Sequence, residues 1–177
     1  VKSAASLPKM AQLMFRIIRS NNFTNVLELG TSLGLGTAYL GLANPKAKVV
    51  SAEGCYALVD MASIAFQRMG INNIKLENGE ITSNFPRILS NFDQLDFVFF
   101  DGNHQKKPTL SYFEQCLKLS HEKSIFVFDD IHWSRGMNDA WEEIQKHEKV
   151  VATIDLYHCG IVFFDPKMAR KHLVIKY

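Results

Sequence analysis

The segment Val26–Ala43, VLELGTSLGLGTAYLGLA, constrains the fold of this chain more than any other stretch. An apolar run ends in Gly30, two further glycines follow at positions 34 and 36, and a segment of helical character comes next. This order predicts a buried strand, a tight loop and a helix, which together form the repeating unit of parallel α/β sheets. The first turn of such a helix has free N–H groups, so the segment also predicts a ligand site.

The rest of the chain repeats this alternation. Apolar runs of strand length recur, separated by helix-like segments, at AKVVSAEG, NIKLENG, LDFVFFDG and SIFVFDDIH. The runs KVVATIDLY and GIVFFD flank His158-Cys159 and predict a hairpin. We therefore predict an α/β fold with a doubly wound, Rossmann-like, seven-stranded and mostly parallel sheet that has a C-terminal antiparallel hairpin. The fourth and fifth strands are apolar almost throughout and are expected at its centre.

Length and charge narrow the functional classes. We expect residues 1–177 to form a single domain, in which residues 1–22 supply an N-terminal helix and the remnant of a truncated lid. A net charge of +2 favours neither nucleic acid nor a membrane as a partner. Three scattered cysteines, with no signal-peptide pattern and no long apolar run, favour a cytoplasmic protein. The expected partner is a small molecule, and a homodimer is left open.

Polar residues collect where the predicted strands end. In a parallel α/β sheet these ends share one edge, and ligands bind there. The residues that the sequence places at this edge are Glu28, Gly30, Ser32, Glu53, Asn78, Gly79, Glu80, Asp101, Asn103, His104, Asp129, Asp130 and His132. We therefore expect the active site at this edge of the sheet.

The spacing of the glycines separates two classes of cofactor. The order is Gly30-x-x-x-Gly34-x-Gly36, whereas dinucleotide-binding loops carry G-x-G-x-x-G. A longer loop suits a ligand without a pyrophosphate, and the N–H groups near Thr37 can bind a carboxylate. Glu53 ends the next strand, where a carboxylate can accept hydrogen bonds from two ribose hydroxyls. A ribose and a carboxylate without a phosphate describe S-adenosylmethionine. The alternatives are a nicotinamide oxidoreductase, or glycines that serve the turn alone.

Residues 25–165 resemble class I S-adenosylmethionine-dependent methyltransferases, and within that class the metal-dependent catechol and caffeoyl-CoA O-methyltransferases. The first, second and third motifs of that group resemble VLELGTSLGLGTAYLGLA, VVSAEG and ENGEIT. The resemblance implies that Glu53 binds the ribose and that Gly79 and Glu80 lie beside the adenine. The cofactor-binding residues predicted in this way are Glu28, Gly30, Thr31, Ser32, Gly34, Gly36, Thr37, Glu53, Gly54, Gly79, Glu80 and Asp101.

Three carboxylates follow the fourth and fifth predicted strands. Asp101 matches the acid that the resembling family has after strand four, and Asp129-Asp130 match an Asp-Asn pair after strand five. Adjacent strands lie about 4.8 Å apart, so these carboxylates repel one another. A divalent cation such as Mg, Ca or Mn relieves that repulsion, and we predict that Asp101, Asp129 and Asp130 bind one. The alternative is that they cap loops or helices.

His104 lies three residues after Asp101, where the resembling family has a catalytic lysine. An imidazole can accept a proton at neutral pH, so we predict that His104 and Asp101 are catalytic and that His104 is the general base. His104 could instead orient an aspartate or ligate the metal. The predicted function is methyl transfer to a small-molecule hydroxyl with metal assistance. The alternative is a methyltransferase-like protein that binds the cofactor with little or no turnover.

The remaining histidines and the tryptophans are weaker candidates. We expect His121 and His147 at helix ends, His158 in the hairpin turn and His172 in the basic tail, all with structural or solvated roles. Trp133 is a candidate wall of a substrate pocket, whereas Trp141 and the strand phenylalanines are expected in the core.

Overall fold

The computed structural model describes residues 8–176 and consists of two compact units, Val1–Asn91 and Phe92–Tyr177. Parallel strands alternate with helices, and an antiparallel pair lies near the C-terminus, which confirms the predicted α/β, mostly parallel architecture. The described residues form eight strands rather than the predicted seven. The single domain stays a prediction. None of the described helices combines the length and the apolar character that a membrane crossing requires.

The first unit begins with a helix and continues with a small parallel sheet. Its strands lie in the order β3-β2-β1, and both pairs are parallel. The centres of β1 and β2 are buried, as expected for strands covered on both faces. The described elements are α1 (Pro8–Asn21), β1 (Asn25–Leu29), α2 (Leu35–Ala43), β2 (Lys48–Glu53), α3 (Tyr56–Met69), β3 (Ile74–Asn78) and α4 (Ile81–Leu89).

Local sequence signals explain where these helices lie. The predicted N-terminal helix is observed as α1, which buries Met10, Met14 and Ile18 at helical spacing, while the predicted residues before Pro8 lie outside the described part. Helix α3 ends at Gly70, whose φ of 68° lets its N–H bond to the carbonyls of the last turn. A glycine directly after the last position of a helical apolar pattern is the sequence signal for such an end.

Helix α4 begins two residues earlier than the sequence SNFPRILSNF predicts. The side chain of Glu80 accepts hydrogen bonds from the N–H groups of Thr82 and Ser83, at 2.9 Å and 2.6 Å. These bonds satisfy donors that would otherwise have no partner in the first helical turn. The helix therefore begins at Ile81, directly after this cap.

The second unit contains the remaining elements. Strand β4 is buried throughout and pairs in parallel with β5, as predicted for the fourth and fifth strands. The strands follow the order β4-β5-β7-β6-β8, and β7 is antiparallel to both of its neighbours. The described elements are β4 (Leu95–Phe100), α5 (Lys106–Cys116), β5 (Ser120–Asp129), α6 (Arg135–Lys146), β6 (Ala152–Asp155), β7 (Cys159–Phe163) and β8 (Lys171–Val174).

Strand β8 is the element that the sequence did not predict. All four of its side chains are exposed, so neither an apolar run nor an alternation marks the segment KHLV. It pairs in parallel with β6 through the backbone, with Ala152 opposite Lys171. The basic tail therefore contributes a strand to the sheet.

Aromatic side chains form the core of the second unit. The rings of Phe100 and Phe128 stack at 4.2 Å with an interplanar angle of 5°. Trp141 is buried, as predicted, and Gly160 leaves the space that its ring occupies. The register pairs Phe100 with Phe128, so Asp101 and Asp129 leave neighbouring strands at the same level. The buried phenylalanines predicted for this core are Phe97, Phe99, Phe100, Phe126 and Phe128.

Candidate active site

The loop after β1 has a backbone that few residue types can adopt. Gly30, Ser32 and Gly34 all have positive φ, at 102°, 49° and 78°. A Cβ on Gly34 would lie 2.8 Å from the ring of Phe66 and 2.9 Å from Ala62, so packing against α3 also requires glycine. Helix α2 begins directly after Gly34 and has free N–H groups in its first turn, as the sequence predicted.

Beneath this loop lies a buried carboxylate that hydroxyl groups surround. Thr37 Oγ1 and Ser51 Oγ donate hydrogen bonds to Glu28 Oε2 at 2.5 Å and 2.6 Å. Thr31 Oγ1 lies 2.5 Å from Ser51 Oγ and joins the loop to this network. Burial raises the pKa of Glu28 to about 7, since it outweighs the hydrogen bonds from Ser51 and Thr37, and the charge of Glu53 acts in the same direction as burial.

Thr37 and Ser51 both bind the Glu28 carboxylate, but only Thr37 was predicted as a site residue. The Thr37 hydroxyl is committed to Glu28, so a ligand at the start of α2 would contact the backbone N–H of Thr37. Ser51 was missed, because it lies in the middle of a strand and 23 residues from Glu28. The sequence feature that could have indicated it is a serine within an apolar strand segment, a position that is buried in the structure.

Glu53 connects the end of β2 to the glycine loop. Its Oε2 accepts the N–H of Ser32 at 2.9 Å, and its Oε1 accepts the N–H of Cys55 at 2.9 Å. A carboxylate accepts about four hydrogen bonds, so Glu53 can take two more from a ribose. Gly54 is exposed, and a Cβ there would meet no atom within 4 Å, so packing does not require glycine at that position.

Gly79 and Glu80 lie at the end of β3, as predicted. The Gly79 N–H donates to the carbonyl of Glu53 at 3.0 Å, and this bond holds the two strand ends together. Hydrogen bonds from Ser83 and Thr82 lower the pKa of Glu80 to about 2. The Glu80 carboxylate is therefore ionised at neutral pH, and both of its oxygens are engaged by the start of α4.

In the second unit, Asp101, His104, Asp129 and Asp130 form what we call the acid–histidine cluster. His104 Nε2 lies 3.7 Å from Asp101 Oδ1 and 3.8 Å from Asp130 Oδ2. Burial raises the pKa of Asp129, as does the charge of Asp130, and a hydrogen bond with Asp101 offsets only part of this effect. Asp129 therefore retains a proton more readily than an exposed aspartate does.

The backbone of this cluster is also unusual. Asp130 has a φ of 53°, and Asn103, the residue before His104, has a φ of 57°. Positive φ values are uncommon for residues other than glycine, although Asn and Asp tolerate them best. The N–H of Asp130 donates to the carbonyl of His158 at 2.8 Å, which fixes the end of β5 against the turn after β6.

The three carboxylates have the donor chemistry that a hard cation prefers. The described residues nevertheless include no group of three His, Cys, Asp or Glu side chains placed to hold a metal ion. Asp101 and Asp129 are hydrogen-bonded to each other instead, and His104 approaches Asp101 and Asp130. The residues as placed do not form a metal site, and metal binding stays a prediction.

Sequence reasoning missed a second histidine–aspartate pair. His132 Nε2 lies 2.8 Å from Oδ2 of the buried Asp155, and His132 Nδ1 lies 2.5 Å from Asn138 Oδ1. Burial opposes the charged imidazole, but the hydrogen bonds with Asn138 and Asp155 outweigh it and raise the pKa of His132. Because both ring nitrogens are engaged, His132 joins α6 to β6.

The remaining predicted residues make contacts of their own. His121 belongs to β5 rather than to a helix end, and its Nε2 lies 2.9 Å from the buried Asp96. His172 belongs to β8, where its Nδ1 lies 2.9 Å from Thr153 Oγ1. Trp133, the candidate pocket wall, is 73% exposed.

Known proteins share this sequence pattern and fold. A catechol O-methyltransferase from Niastella koreensis is 25% identical over 126 residues, which are 70% of this chain and 55% of that protein. The chain thus spans about half of the length of this relative.

Solved structures match a larger share of the chain. An O-methyltransferase from Bacillus cereus in complex with SAH has 20% identity and a TM-score of 0.78, covering 90% of this chain and 83% of that one. The O-methyltransferase TomG from Streptomyces achromogenes, involved in tomaymycin synthesis and solved with SAM, has 19% identity and a TM-score of 0.80, covering 92% and 82%.

These likenesses confirm the predicted Rossmann-like fold. A sequence family described as a methyltransferase domain matches residues 27–131, which is more than half of the chain. The chain therefore belongs to the methyltransferase-domain family.

Proposed function

We propose that this chain binds S-adenosylmethionine and transfers its methyl group to a hydroxyl oxygen of a small molecule. The observation that carries the proposal is the position of Glu53, an acid at a strand end that is hydrogen-bonded to the glycine loop. The names of the relative and of the two neighbours, and the SAH and SAM bound to those neighbours, support the same reaction.

The first unit supplies the cofactor-binding residues in this proposal. The N–H groups in the first turn of α2, at Gly36 and Thr37, bind the cofactor's carboxylate. Glu53 accepts hydrogen bonds from the ribose hydroxyls, and the turn at Gly79 and Glu80 lies beside the adenine. The bound cofactor supplies the methyl group, while the loop residues hold it in one orientation.

The second unit supplies the proton acceptor in this proposal. Methyl transfer is a direct displacement, so the protein positions the reactants and removes one proton from the hydroxyl. His104 Nε2 is too far from Asp101 and Asp130 for a hydrogen bond, so it can accept one from the substrate hydroxyl. The negative charge of Asp101, 3.7 Å away, stabilises the imidazolium that forms when His104 takes up the proton.

Calorimetry with S-adenosylhomocysteine tests the cofactor assignment. Glu53→Ala should weaken binding by about 1.5–3 kcal/mol, the range for hydrogen bonds to a charged group. Glu148→Ala removes an exposed carboxylate of the second unit and serves as the matched control. Binding of NAD without any response to S-adenosylhomocysteine would contradict the proposal.

Metal assistance is a separate prediction, and it concerns the acid–histidine cluster. A cation that binds only the folded protein raises the unfolding temperature. If Mg, Ca or Mn binds, the EDTA-treated protein should gain stability from that ion, and Asp129→Asn should remove the gain. Equal unfolding temperatures with and without every ion, together with full activity after EDTA treatment, would exclude metal assistance.

A cofactor-binding protein with little turnover is the second candidate function. It is favoured by His104, which stands where the resembling family has a lysine. The two functions differ in one measurement. The second predicts binding of S-adenosylhomocysteine without methylation of any acceptor in a panel of phenols, sugar hydroxyls, carboxylates and amines.

A cytoplasmic location also stays a prediction.

A further inference from the structure

Helix α3 presents apolar side chains on the face that points away from its own core. Ala62 and Phe66 are buried beneath the helix, as a packed helix requires. On the other side Met61, Ile64 and Met69 are 55%, 43% and 50% exposed. A groove of about 410 Å³ runs along this side, and it is lined by Met61, Ile64, Ala65, Arg68 and Met69. Contiguous apolar surface of this kind marks interaction sites more often than isolated exposed residues do.

The residues of this face form two rows at helical spacing. One row contains Asp60, Ile64 and Arg68, and the next contains Met61, Ala65 and Met69. We call these six residues the α3 outer face. The pattern has approximate two-fold character about Ile64 and Ala65. Reversing the direction of the helix exchanges Met61 with Met69 and places an acid where the base was.

Asp60 and Arg68 place opposite charges at the two ends of the α3 outer face. Asp60 and Arg68 lie eight residues apart, which is about 12 Å along a helix, so they are too far apart to pair with each other. No ion pair joins either of them to another residue in the described range 8–176. Both are exposed at the borders of the apolar rows.

We propose that the α3 outer face is the contact between two copies of this chain, packed with their α3 helices antiparallel about a two-fold axis at Ile64 and Ala65. In this arrangement Asp60 of each copy faces Arg68 of the other, and the contact contains two ion pairs. A parallel arrangement would place like charges together, so the charges select the antiparallel one. The small side chain of Ala65 permits close approach of the two helix axes.

The expected dimer is weak and depends on concentration. A standard interface buries about 800 Å² on each partner, and a helix of 14 residues is about 21 Å long, so a contact between two such helices lies at the small end of the range. Sedimentation velocity over a range of micromolar to millimolar chain concentrations should therefore show a monomer–dimer equilibrium. This inference does not depend on the cofactor or on the reaction.

Charge reversal and charge exchange test the arrangement. Arg68→Asp and Asp60→Arg should each raise the dissociation constant of the dimer about tenfold or more, because each turns two attractive pairs into repulsive ones. The double variant D60R/R68D restores complementary pairs and should return the dissociation constant towards that of the original chain. Lys149→Asp changes the net charge by as much as Arg68→Asp does, at an exposed position of the second unit, and serves as the control for that variant.

Ile64→Asp provides a second test at the centre of the face. Ile64 lies on the exposed side of α3, so the unfolding temperature of the Ile64→Asp variant should stay close to that of the original chain. The variant should nevertheless fail to dimerise. A chain that is monomeric at every concentration would overturn the proposal. So would single reversals that leave the dissociation constant unchanged, or a double variant that dissociates as readily as the single ones.

Discussion

The glycine loop and the acid–histidine cluster are both rich in polar groups, but they satisfy those groups differently. Around the loop, Glu28 and Glu53 accept hydrogen bonds of 2.5–2.9 Å from Thr37, Ser51, Ser32 and Cys55. In the cluster, His104 stays 3.7–3.8 Å from its two aspartates, and Asp129 is beside the charge of Asp130. The loop is held by these hydrogen bonds, whereas His104 Nε2 lies beyond hydrogen-bond distance of Asp101 and Asp130.

This difference is the one that the proposed methyl transfer requires. A binding loop gains affinity from being held in its bound geometry in advance, because less conformational entropy is lost on binding. A group that takes up a proton needs a free lone pair directed at the substrate. Substitutions in the loop should therefore change stability and cofactor affinity, and substitutions in the cluster should change rate.

His104→Ala gives the largest expected effect and tests the cluster. Loss of a general base should lower kcat by about 10²–10⁴-fold. The affinity for S-adenosylhomocysteine should remain unchanged, because the hydrogen bonds of Glu28 and Glu53 are untouched. Initial rates at saturating cofactor, together with calorimetry, measure the two quantities. His104→Lys introduces the group that the resembling family has at this position and should recover part of the rate. An unaltered kcat in His104→Ala would remove this residue from the chemistry.

Gly34→Ala tests the rigidity of the loop. The new Cβ would overlap Phe66 and Ala62 and would force alanine to adopt a φ of 78°. Overpacking and left-handed strain together should reduce the free energy of unfolding by about 2–5 kcal/mol. Gly54→Ala is the matched control for stability, since its Cβ meets open space. Urea unfolding of both variants measures the difference, and equal losses would show that the loop is adaptable.

Glu28 should make the free energy of unfolding depend on pH. Its pKa in the folded chain is about 7 and its usual value is 4.5, so the folded state binds the proton more tightly. The associated stability is fully present below pH 4.5 and is lost as pH rises through about 7. Because the two pKa values differ by about 2.5, and each pKa unit corresponds to about 1.4 kcal/mol, the loss is about 3–4 kcal/mol at most. Glu28→Gln should flatten the fall in unfolding free energy between these pH values. A slope equal to that of the original chain would show that Glu28 titrates normally.

His121→Ala gives the smallest expected effect and lies outside both regions. Removing the imidazole takes away one hydrogen bond of 2.9 Å from the buried Asp96, which should cost about 1–2 kcal/mol of unfolding free energy. Glu122→Ala, an exposed neighbour, is the control. Cofactor affinity and kcat should be unchanged in both variants. A loss of rate in His121→Ala alone would connect this pair to the chemistry.

Periodicity and glycine spacing predict much of this molecule. The apolar runs predict β1 to β7, Gly70 predicts the end of α3, and the strand ends predict the positions of Glu53 and Asp101. These features depend on neighbouring residues and on the general geometry of parallel sheets.

The missed features depend on residues that are distant in the sequence. Ser51 reaches Glu28 across 23 positions, and His132 reaches Asp155 across 23. No local pattern indicates which polar residue a buried acid will contact, because the partner is chosen by strand register. The sequence also places three carboxylates at adjacent strand ends, yet it cannot show that two of them bond to each other.

Strand β8 affects how this protein meets other chains in solution. Among the described strands it lies next to β6 alone, and its four exposed positions include Lys171 and His172. Charged side chains on an outermost strand discourage the addition of further strands from other molecules. Strand β6 is mostly buried and lacks such protection. Cleavage after Asp165 would leave the backbone of β6 unpaired on that side, so we expect the cleaved protein to aggregate more readily than the intact chain.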